Sequence, residues 1–309
     1  MNLSVQLCGV PLPNPLILAS GILGTQAGLL VRVARAGAGA VTSKSCSLQP
    51  RAGHPNPTVL DWGGGLINAI GLSNPGVEAQ IAELRAAKQQ LRTLGVPLIA
   101  SVFAHTVNDF VAVAERMCLA DPDFLEINIS CPNVEAEFGP PFAADPRMSA
   151  AVTSAVKAVV NCPLIVKLSP NVSDIAAIAR AVEDAGADAI AAINTLGPGM
   201  VIDIHSGAPI LANRVGGVSG PAIRPIAVRC VYDIYATVRI PVIGIGGVTT
   251  GRDALEMILA GATAVGIGSA LYYRGLDAFQ LIRSEMENLM EECSYRNLDE
   301  IRGIAHERP

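Results

Sequence analysis

The segment EINISCPNVEAEFGPPFAADP carries the residues best suited to chemistry in this sequence. Cys131 follows a short apolar run, and Asn128 and Asn133 flank it. A thiolate can remove a proton from a substrate carbon, and asparagine side chains can pair with the amide edges of a ring. The alternative for a single cysteine is a small buried apolar side chain. We apply that alternative to five other cysteines, namely Cys8, Cys118, Cys162, Cys230 and Cys293.

Two lysines, Lys44 and Lys167, end or interrupt apolar runs. A lysine in a buried strand needs a partner for its charge. Two of them on the same face favour contacts with a negatively charged ligand, such as a flavin or a carboxylate. Two alternatives stay open: side chains that reach solvent at a rim, and a Schiff-base lysine of the kind used by barrel aldolases.

Glycine-rich turns follow two late apolar runs, in IGIGGVTTGRDAL and VGIGSALYYRG. In α/β barrels the loops after the seventh and eighth strands commonly bind phosphate through backbone N–H groups. Each turn alone is equally explained by a tight connection between strand and helix. Because both stand at the expected strands, we interpret them as a phosphate site.

Eight short apolar runs alternate with helical patterns along the chain. Continuous apolar runs are typical of parallel strands that are covered on both faces. The predicted strands are Leu16–Ser20, Ala40–Ser45, Leu98–Phe103, Phe124–Ser130, Leu164–Ser169, Ala189–Thr195, Val242–Gly247 and Ala264–Ser269. The predicted helices are Gln26–Ala36, Gly76–Leu94, Val107–Ala120, Asp145–Val160, Ser173–Ala185, Pro221–Val238, Gly251–Ala260 and Leu276–Glu292.

Eight strand–helix pairs predict a (β/α)₈ barrel in one domain, residues 1–309. The alternative is an open doubly wound sheet, which the missing G-x-G-x-x-G fingerprint disfavours. Two long connections, Cys46–Pro75 and Leu196–Gly220, follow the second and sixth strands, on the functional face of a barrel. The stretch Val5–Pro15, with a turn near Gly9, predicts a small hairpin under the barrel floor.

Composition excludes several classes of function. Only 16% of the residues are charged and 50% are hydrophobic, which indicates deep burial rather than disorder. The net charge of −5, without a run of more than two Lys or Arg residues, argues against a nucleic-acid partner. Seven scattered cysteines without a C-x-x-C pair predict no metal or iron–sulfur site and fit a reducing cytoplasm. We find neither a signal peptide nor a membrane span.

Specific motifs resemble a known family across nearly the whole chain. They include NPLILASG, VTSKSCSLQPRAGHPNP, LINAIGLSNPG, EINISCPNV, PLIVKLSPNVSDI, PILANRVGGVSGPAIRP and PVIGIGGVTTGRDALEMILAGA. The chain is similar to class 1 dihydroorotate dehydrogenases, and most similar to the catalytic subunit of the NAD-linked subclass 1B. The resemblance implies an FMN-containing barrel that oxidises (S)-dihydroorotate to orotate in pyrimidine biosynthesis.

The resemblance also implies a role for each matching residue. Cys131 corresponds to the base that removes the C5 proton, while hydride leaves C6 for flavin N5, and Lys44 is implied to contact both FMN and substrate. Substrate contacts are implied for Asn68, Ala69, Ile70, Gly71, Leu72, Asn128, Asn133, Asn194 and Thr195. FMN contacts are implied for Ser20, Lys44, Ser45, Asn128, Lys167, Ile193, Gly220, Gly246, Gly247, Gly268 and Ser269. Lys167 corresponds to the lysine near the flavin pyrimidine edge, where positive charge stabilises the reduced anion.

Three positions depart from the family pattern. Ser101 stands where an asparagine typically contacts FMN, Gly268–Ser269 replaces a common Gly-Thr pair, and the loop after Cys131 lacks the usual Gly-Gly. Subclass 1B implies a homodimeric core and a partner subunit that carries FAD and a [2Fe–2S] cluster. The alternatives are a fumarate-using class 1A enzyme, an enzyme similar to dihydropyrimidine dehydrogenase, a Schiff-base aldolase using Lys167, and a non-catalytic phosphate-binding barrel.

Overall fold

The computed structural model describes residues 2–130 and 142–307. The described strands are β1 (Val5–Leu7), β2 (Val10–Leu12), β3 (Leu16–Leu18), β4 (Ala40–Thr42), β5 (Val59–Asp61), β6 (Leu66–Asn68), β7 (Leu98–Val102), β8 (Phe124–Asn128), β9 (Leu164–Leu168), β10 (Ala189–Ala192), β11 (Leu196–Gly199), β12 (Ile202–Asp203), β13 (Ala208–Pro209), β14 (Gly216–Ser219), β15 (Val242–Ile245) and β16 (Ala264–Ile267). The described helices are Ala27–Arg35, Val77–Leu94, Val107–Cys118, Pro146–Lys157, Ile175–Asp184, Arg224–Tyr235, Gly251–Leu259, Ala270–Arg274, Ala278–Glu292 and Leu298–Ile301.

Eight of these strands close a parallel barrel in the order β3-β4-β7-β8-β9-β10-β15-β16. Every residue of β7, β8 and β9 is buried, as expected for strands that face a filled barrel on one side and helices on the other. The predicted (β/α)₈ barrel is therefore confirmed, and the open sheet is excluded. Each strand ends before its apolar run does; β10, for example, ends at Ala192, and Asn194 and Thr195 lie beyond it.

All eight predicted helices are present, although several of their ends differ by up to three residues from the prediction. Two of the starts have a physical explanation. Asp174, not Ser173, precedes the helix Ile175–Asp184, because Asp174 Oδ1 accepts a hydrogen bond from Ala177 N at 3.0 Å. The predicted helix that starts at Pro221 opens with a 3₁₀ turn, and its α-helical part is Arg224–Tyr235.

The predicted hairpin is present at the amino-terminal end of the barrel. Strands β1 and β2 pair antiparallel, and Leu7 and Leu12 are fully buried in the main core. Cys8 Sγ donates to the backbone oxygen of Asp188, the residue that precedes β10. The hairpin therefore closes the barrel floor, as the sequence predicts.

Two aspartates secure the floor in the same way. Asp188 Oδ2 accepts from Leu164 N at 2.7 Å and from Lys157 Nζ at 2.5 Å. Asp123 Oδ2 likewise accepts from the first N–H of β7 at 2.7 Å and from Lys88 Nζ at 2.5 Å. Each carboxylate thus satisfies a strand N–H that would otherwise lack a partner at the floor.

The two long connections fold together above the opposite end of the barrel. They form one antiparallel sheet in the order β11-β14-β6-β5, in which Asn68 of β6 is paired with Gly217 of β14. Strands β12 and β13 form a further hairpin, and Ile204, in the turn between them, is 87% exposed. None of the helices in the described part of the chain combines the length and apolar character needed to cross a bilayer.

Candidate active site

A cavity of about 320 Å³ lies at the carboxyl ends of the barrel strands, beside the four-stranded sheet. Its volume lies at the lower end of the ~300–1,000 Å³ typical of small-molecule sites. Most residues implied by the sequence line it: Ser20, Lys44, Ser45, Asn68, Ile70, Gly71, Leu72, Asn128, Lys167, Ile193, Asn194, Thr195, Gly220, Gly246, Gly247, Gly268 and Ser269.

Of the implied residues that the structure describes, only Ala69 is not part of this lining. Ala69 is 1% exposed and belongs to a small apolar cluster with Ile67 and Leu211. Its position between two lining residues, Asn68 and Ile70, follows from the alternation of side chains along an extended segment. Cys131 and Asn133 lie outside the described residues.

Hydroxyl and amide groups form the floor of the cavity. Asn128 Nδ2 donates to Ser45 Oγ at 3.2 Å, and Ser45 Oγ lies 2.9 Å from Ser101 Oγ. Ser101 Oγ in turn donates to Glu126 Oε1 at 2.8 Å, and Glu126 is 3% exposed. Ser20 Oγ donates to a backbone oxygen at 2.9 Å and lies 3.2 Å from Ser45 Oγ. These contacts hold the floor side chains in a fixed arrangement.

A second group of polar side chains continues from Asn128. Ser130 Oγ donates to Asn128 Oδ1 at 3.1 Å, and Asn194 Nδ2 donates to Ser130 Oγ at 3.0 Å. Thr195 N donates to Asn194 Oδ1 at 2.8 Å, which fixes the orientation of that amide. The cavity therefore presents oriented amide groups from the ends of two barrel strands.

Two lysines provide positive charge to the same cavity. Lys167 is 5% exposed, on β9, with its Cα in register with Asn128 of β8. Lys44 follows β4, and its backbone N–H donates to Gly24 O at 2.8 Å. Two ammonium groups in a largely apolar cavity stabilise negative charge on a bound ligand.

Glycine at the β15 turn lets the backbone approach closely. Gly247 has a φ of +73°, and a Cβ there would lie 2.8 Å from both Gly220 O and Arg224 N. By contrast, a Cβ at Gly268 would meet only Ala19 Cβ, at 3.8 Å. The glycine turns therefore bring backbone rather than side chains to the cavity wall, which fits a phosphate group.

Asp253 holds the loop that follows this turn. Asp253 Oδ2 accepts from Thr249 N at 2.9 Å and from Thr250 N at 2.8 Å, and Arg224 forms an ion pair with the same carboxylate. Burial works to raise the pKa of Asp253, but the hydrogen bonds from Thr249 and Thr250 outweigh it and the pKa is lowered. The carboxylate is thus stabilised in its charged form, which fixes the turn.

Sequence reasoning missed Glu126 and several lining residues. Glu126 stands inside the apolar run FLEIN rather than at a strand end, and an acid in such a run was the available signal. Ser219 lines the cavity from the end of β14. The apolar lining residues, which carry no chemical signal, include Ile22, Val59, Leu66, Ile223, Ile245 and Val248.

A closed (β/α)₈ barrel whose cavity at the carboxyl ends of the strands holds two lysines and oriented amides has the architecture of a barrel enzyme. The family model described as dihydroorotate dehydrogenase matches residues 2–290. The chain therefore belongs to the dihydroorotate dehydrogenase family, as the sequence motifs predict, and is an oxidoreductase of this flavin-dependent family.

Curated relatives resemble the chain over its full length. The catalytic subunit of dihydroorotate dehydrogenase B (NAD⁺) of Methanothermobacter thermautotrophicus is 47% identical over 305 residues, which cover 99% of each chain. The Methanosarcina mazei protein of the same name is 48% identical, over 97% of this chain and 94% of its own. The Pyrococcus furiosus protein of that name is 43% identical, over 99% of each chain.

Proposed function

We propose that the chain oxidises (S)-dihydroorotate to orotate with FMN, as the catalytic subunit of an NAD-linked enzyme of pyrimidine biosynthesis. One observation carries the proposal: two lysines, oriented asparagines and two glycine turns meet in a single cavity. The names of the full-length relatives favour the same substrate and acceptor.

The cavity residues fit a flavin mononucleotide. The turns at Gly246–Gly247 and Gly268–Ser269 offer backbone N–H groups for the phosphate. Lys167 supplies positive charge where the ring would carry negative charge after reduction. When bound, FMN supplies the acceptor for the hydride that leaves C6 of the substrate.

The remaining lining residues suit a small ring with amide edges and a carboxylate. Asn68, Asn128, Asn194 and Thr195 supply donors and acceptors for such a ring, and Lys44 supplies a positive charge for its carboxylate. The segment Asn68–Leu72 adds backbone groups, with Gly71 at a φ of +73° and Leu72 at +57°. We assign this set to substrate orientation.

Cys131 is the base in this proposal. Its thiolate takes the proton from C5 while the hydride leaves C6, so the ring loses two hydrogens and gains a double bond. An unperturbed cysteine thiol has a pKa near 8.5, well above that of a free carboxylate. Cys131 is therefore basic enough for proton abstraction beside a carbonyl group.

A partner subunit with FAD and a [2Fe–2S] cluster completes the proposal. The relatives are named catalytic subunits of NAD⁺-linked enzymes, which supports a further subunit. Within residues 2–130 and 142–307, no group of three or more His, Cys, Asp and Glu side chains could hold a metal ion. We assign the transfer of electrons to NAD to the partner, and a homodimeric core to this chain.

The decisive experiment offers dihydroorotate to the purified chain with NAD, fumarate, a quinone or an artificial dye as acceptor. We expect a yellow protein that reduces the dye, and NAD reduction only after the partner subunit is added. Rapid NAD reduction by the chain alone contradicts the partner assignment, and rapid fumarate reduction supports class 1A. A colourless protein that borohydride traps on Lys167 contradicts the flavin and supports an aldolase.

A further inference from the structure

We infer that Glu126 is a positioning residue, which acts through Ser101 and Ser45 on the ring bound above them. The inference rests on the proposed function only in naming that ring as a flavin. Glu126 lies in the barrel interior, is not among the residues that line the cavity, and has no role in the chemistry proposed above. A buried carboxylate two hydroxyl groups away from a ligand site therefore requires an explanation.

The hydrogen bonds from Glu126 to the cavity run in one direction. A carboxylate only accepts, so the single hydroxyl proton of Ser101 is used in the 2.8 Å bond to Glu126 Oε1. The Ser101 oxygen can then only accept from Ser45, at 2.9 Å. The Ser45 hydroxyl has a second acceptor in reach, the Ser20 oxygen at 3.2 Å, because the Ser20 proton is used in a bond to a backbone oxygen. The contact with Ser101 is the shorter of the two, and we assign the Ser45 proton to it. The Ser45 oxygen in turn accepts from Asn128 Nδ2 at 3.2 Å. We call these four residues the serine relay.

Independent contacts fix the direction of the hydrogen bond from Asn128 to Ser45, at the other end of the serine relay. The backbone N–H of Ser130 lies 3.4 Å from Asn128 Oδ1, and the Ser130 hydroxyl donates to the same oxygen at 3.1 Å. A backbone N–H cannot accept, so the amide oxygen of Asn128 faces Ser130 and its Nδ2 faces Ser45. A glutamine amide in place of Glu126 could either donate to Ser101 or accept from it. The direction of the Ser101–Ser45 hydrogen bond would then no longer be fixed.

This direction decides what the cavity floor offers to a ligand. The hydroxyl proton of Ser45 is directed toward Ser101, so the Ser45 oxygen remains as an acceptor beside the cavity. Lys167, in register with Asn128 on the neighbouring strand, supplies a donor and a positive charge. The floor thus suits a planar ring with an N–H donor beside carbonyl acceptors, and the Glu126 charge opposes further negative charge on that ring.

The test compares Glu126→Gln and Ser101→Ala with a matched control, Glu183→Gln. Glu183 Oε1 accepts from Arg239 N at 2.6 Å near the start of β15, at the other end of the barrel. Three quantities are measured: the Kd of FMN for the apoprotein, the midpoint potential of the bound flavin, and the ¹⁵N side-chain amide resonance of Asn128 in the apoprotein.

We expect Glu126→Gln to weaken FMN binding about tenfold, as for the loss of one charge-assisted hydrogen bond. It also makes the midpoint potential more positive, because a negative charge near the reduced flavin is removed. Ser101→Ala weakens binding by a similar factor without raising the potential, since the carboxylate remains. Both variants shift the Asn128 resonance, and Glu183→Gln changes none of the three quantities.

Unchanged Kd and Asn128 resonance in both relay variants overturn the inference. Changes in Glu126→Gln alone overturn it as well, because they show a charge that acts without the serines. If Glu126→Gln does not fold, Ser101→Ala alone decides the inference, through the Kd of FMN and the Asn128 resonance. A wild-type chain that binds no flavin contradicts the proposed function instead, and the Asn128 resonance of the apoprotein then decides the serine relay.

Discussion

Replacing Gly247 by alanine tests the requirement for bare backbone at the β15 turn. Gly247 has a φ of +73°, and a Cβ there would lie 2.7 Å from Arg224 Cβ and 2.8 Å from Arg224 N and Gly220 O. Gly95, which ends the helix Val77–Leu94, is a matched control. It has a φ of +65°, and a Cβ there would meet nothing within 4 Å.

The two substitutions share one energetic cost and differ in a second. A side chain at positive φ costs ~1–2 kcal/mol at either position. Overpacking adds ~1–3 kcal/mol at Gly247 only, because the two backbone atoms it meets must move. We therefore expect the free energy of unfolding to fall by about 2–5 kcal/mol for Gly247→Ala and by about 1–2 kcal/mol for Gly95→Ala. Urea unfolding of the apoproteins measures both values.

FMN binding separates the local effect from general destabilisation. Movement of Gly220 and Arg224 displaces the wall of the cavity, so we expect Gly247→Ala to weaken FMN binding at least about tenfold, the effect of losing one charge-assisted hydrogen bond. Gly95→Ala leaves the Kd unchanged. Equal stability and equal FMN affinity in the two variants would refute the reasoning.

Three further predictions concern other parts of the chain. Cys131→Ala keeps FMN bound but loses most turnover with dihydroorotate at neutral pH, and wild-type kcat in that variant contradicts the base assignment. Asp188→Asn weakens the charge-assisted hydrogen bonds to this side chain, including that from Leu164 N, so we expect the free energy of unfolding in urea to fall by about 1–2 kcal/mol. An unchanged free energy of unfolding contradicts the stabilising role of Asp188. A hydrogen bond from the Cys162 thiol lowers the pKa of Cys118. Among the described cysteines, Cys118 should therefore react first with iodoacetamide as the pH is raised, and peptide mass mapping that finds another of them faster contradicts this.

The barrel was predictable because its signal is local. Each parallel strand is buried on both faces and reads as one apolar run, and the polar residues that follow mark the cavity end. The sheet over the cavity was not predictable, since it pairs Asn68 with Gly217 across about half of the chain. The Ser101–Glu126 bond is hidden for the same reason, because it joins neighbouring strands and not neighbouring residues.

The serine at position 101 changes what its strand contributes to the site. The resemblance leads us to expect an asparagine there, in direct contact with FMN. In this chain Ser101 is fully buried outside the cavity lining, and its hydroxyl group joins Ser45 to Glu126. The shorter side chain therefore replaces a direct contact by an indirect one, in which the buried carboxylate sets the direction of the Ser45 hydroxyl. Affinity for the ring at this edge then depends on a residue that the ring does not touch.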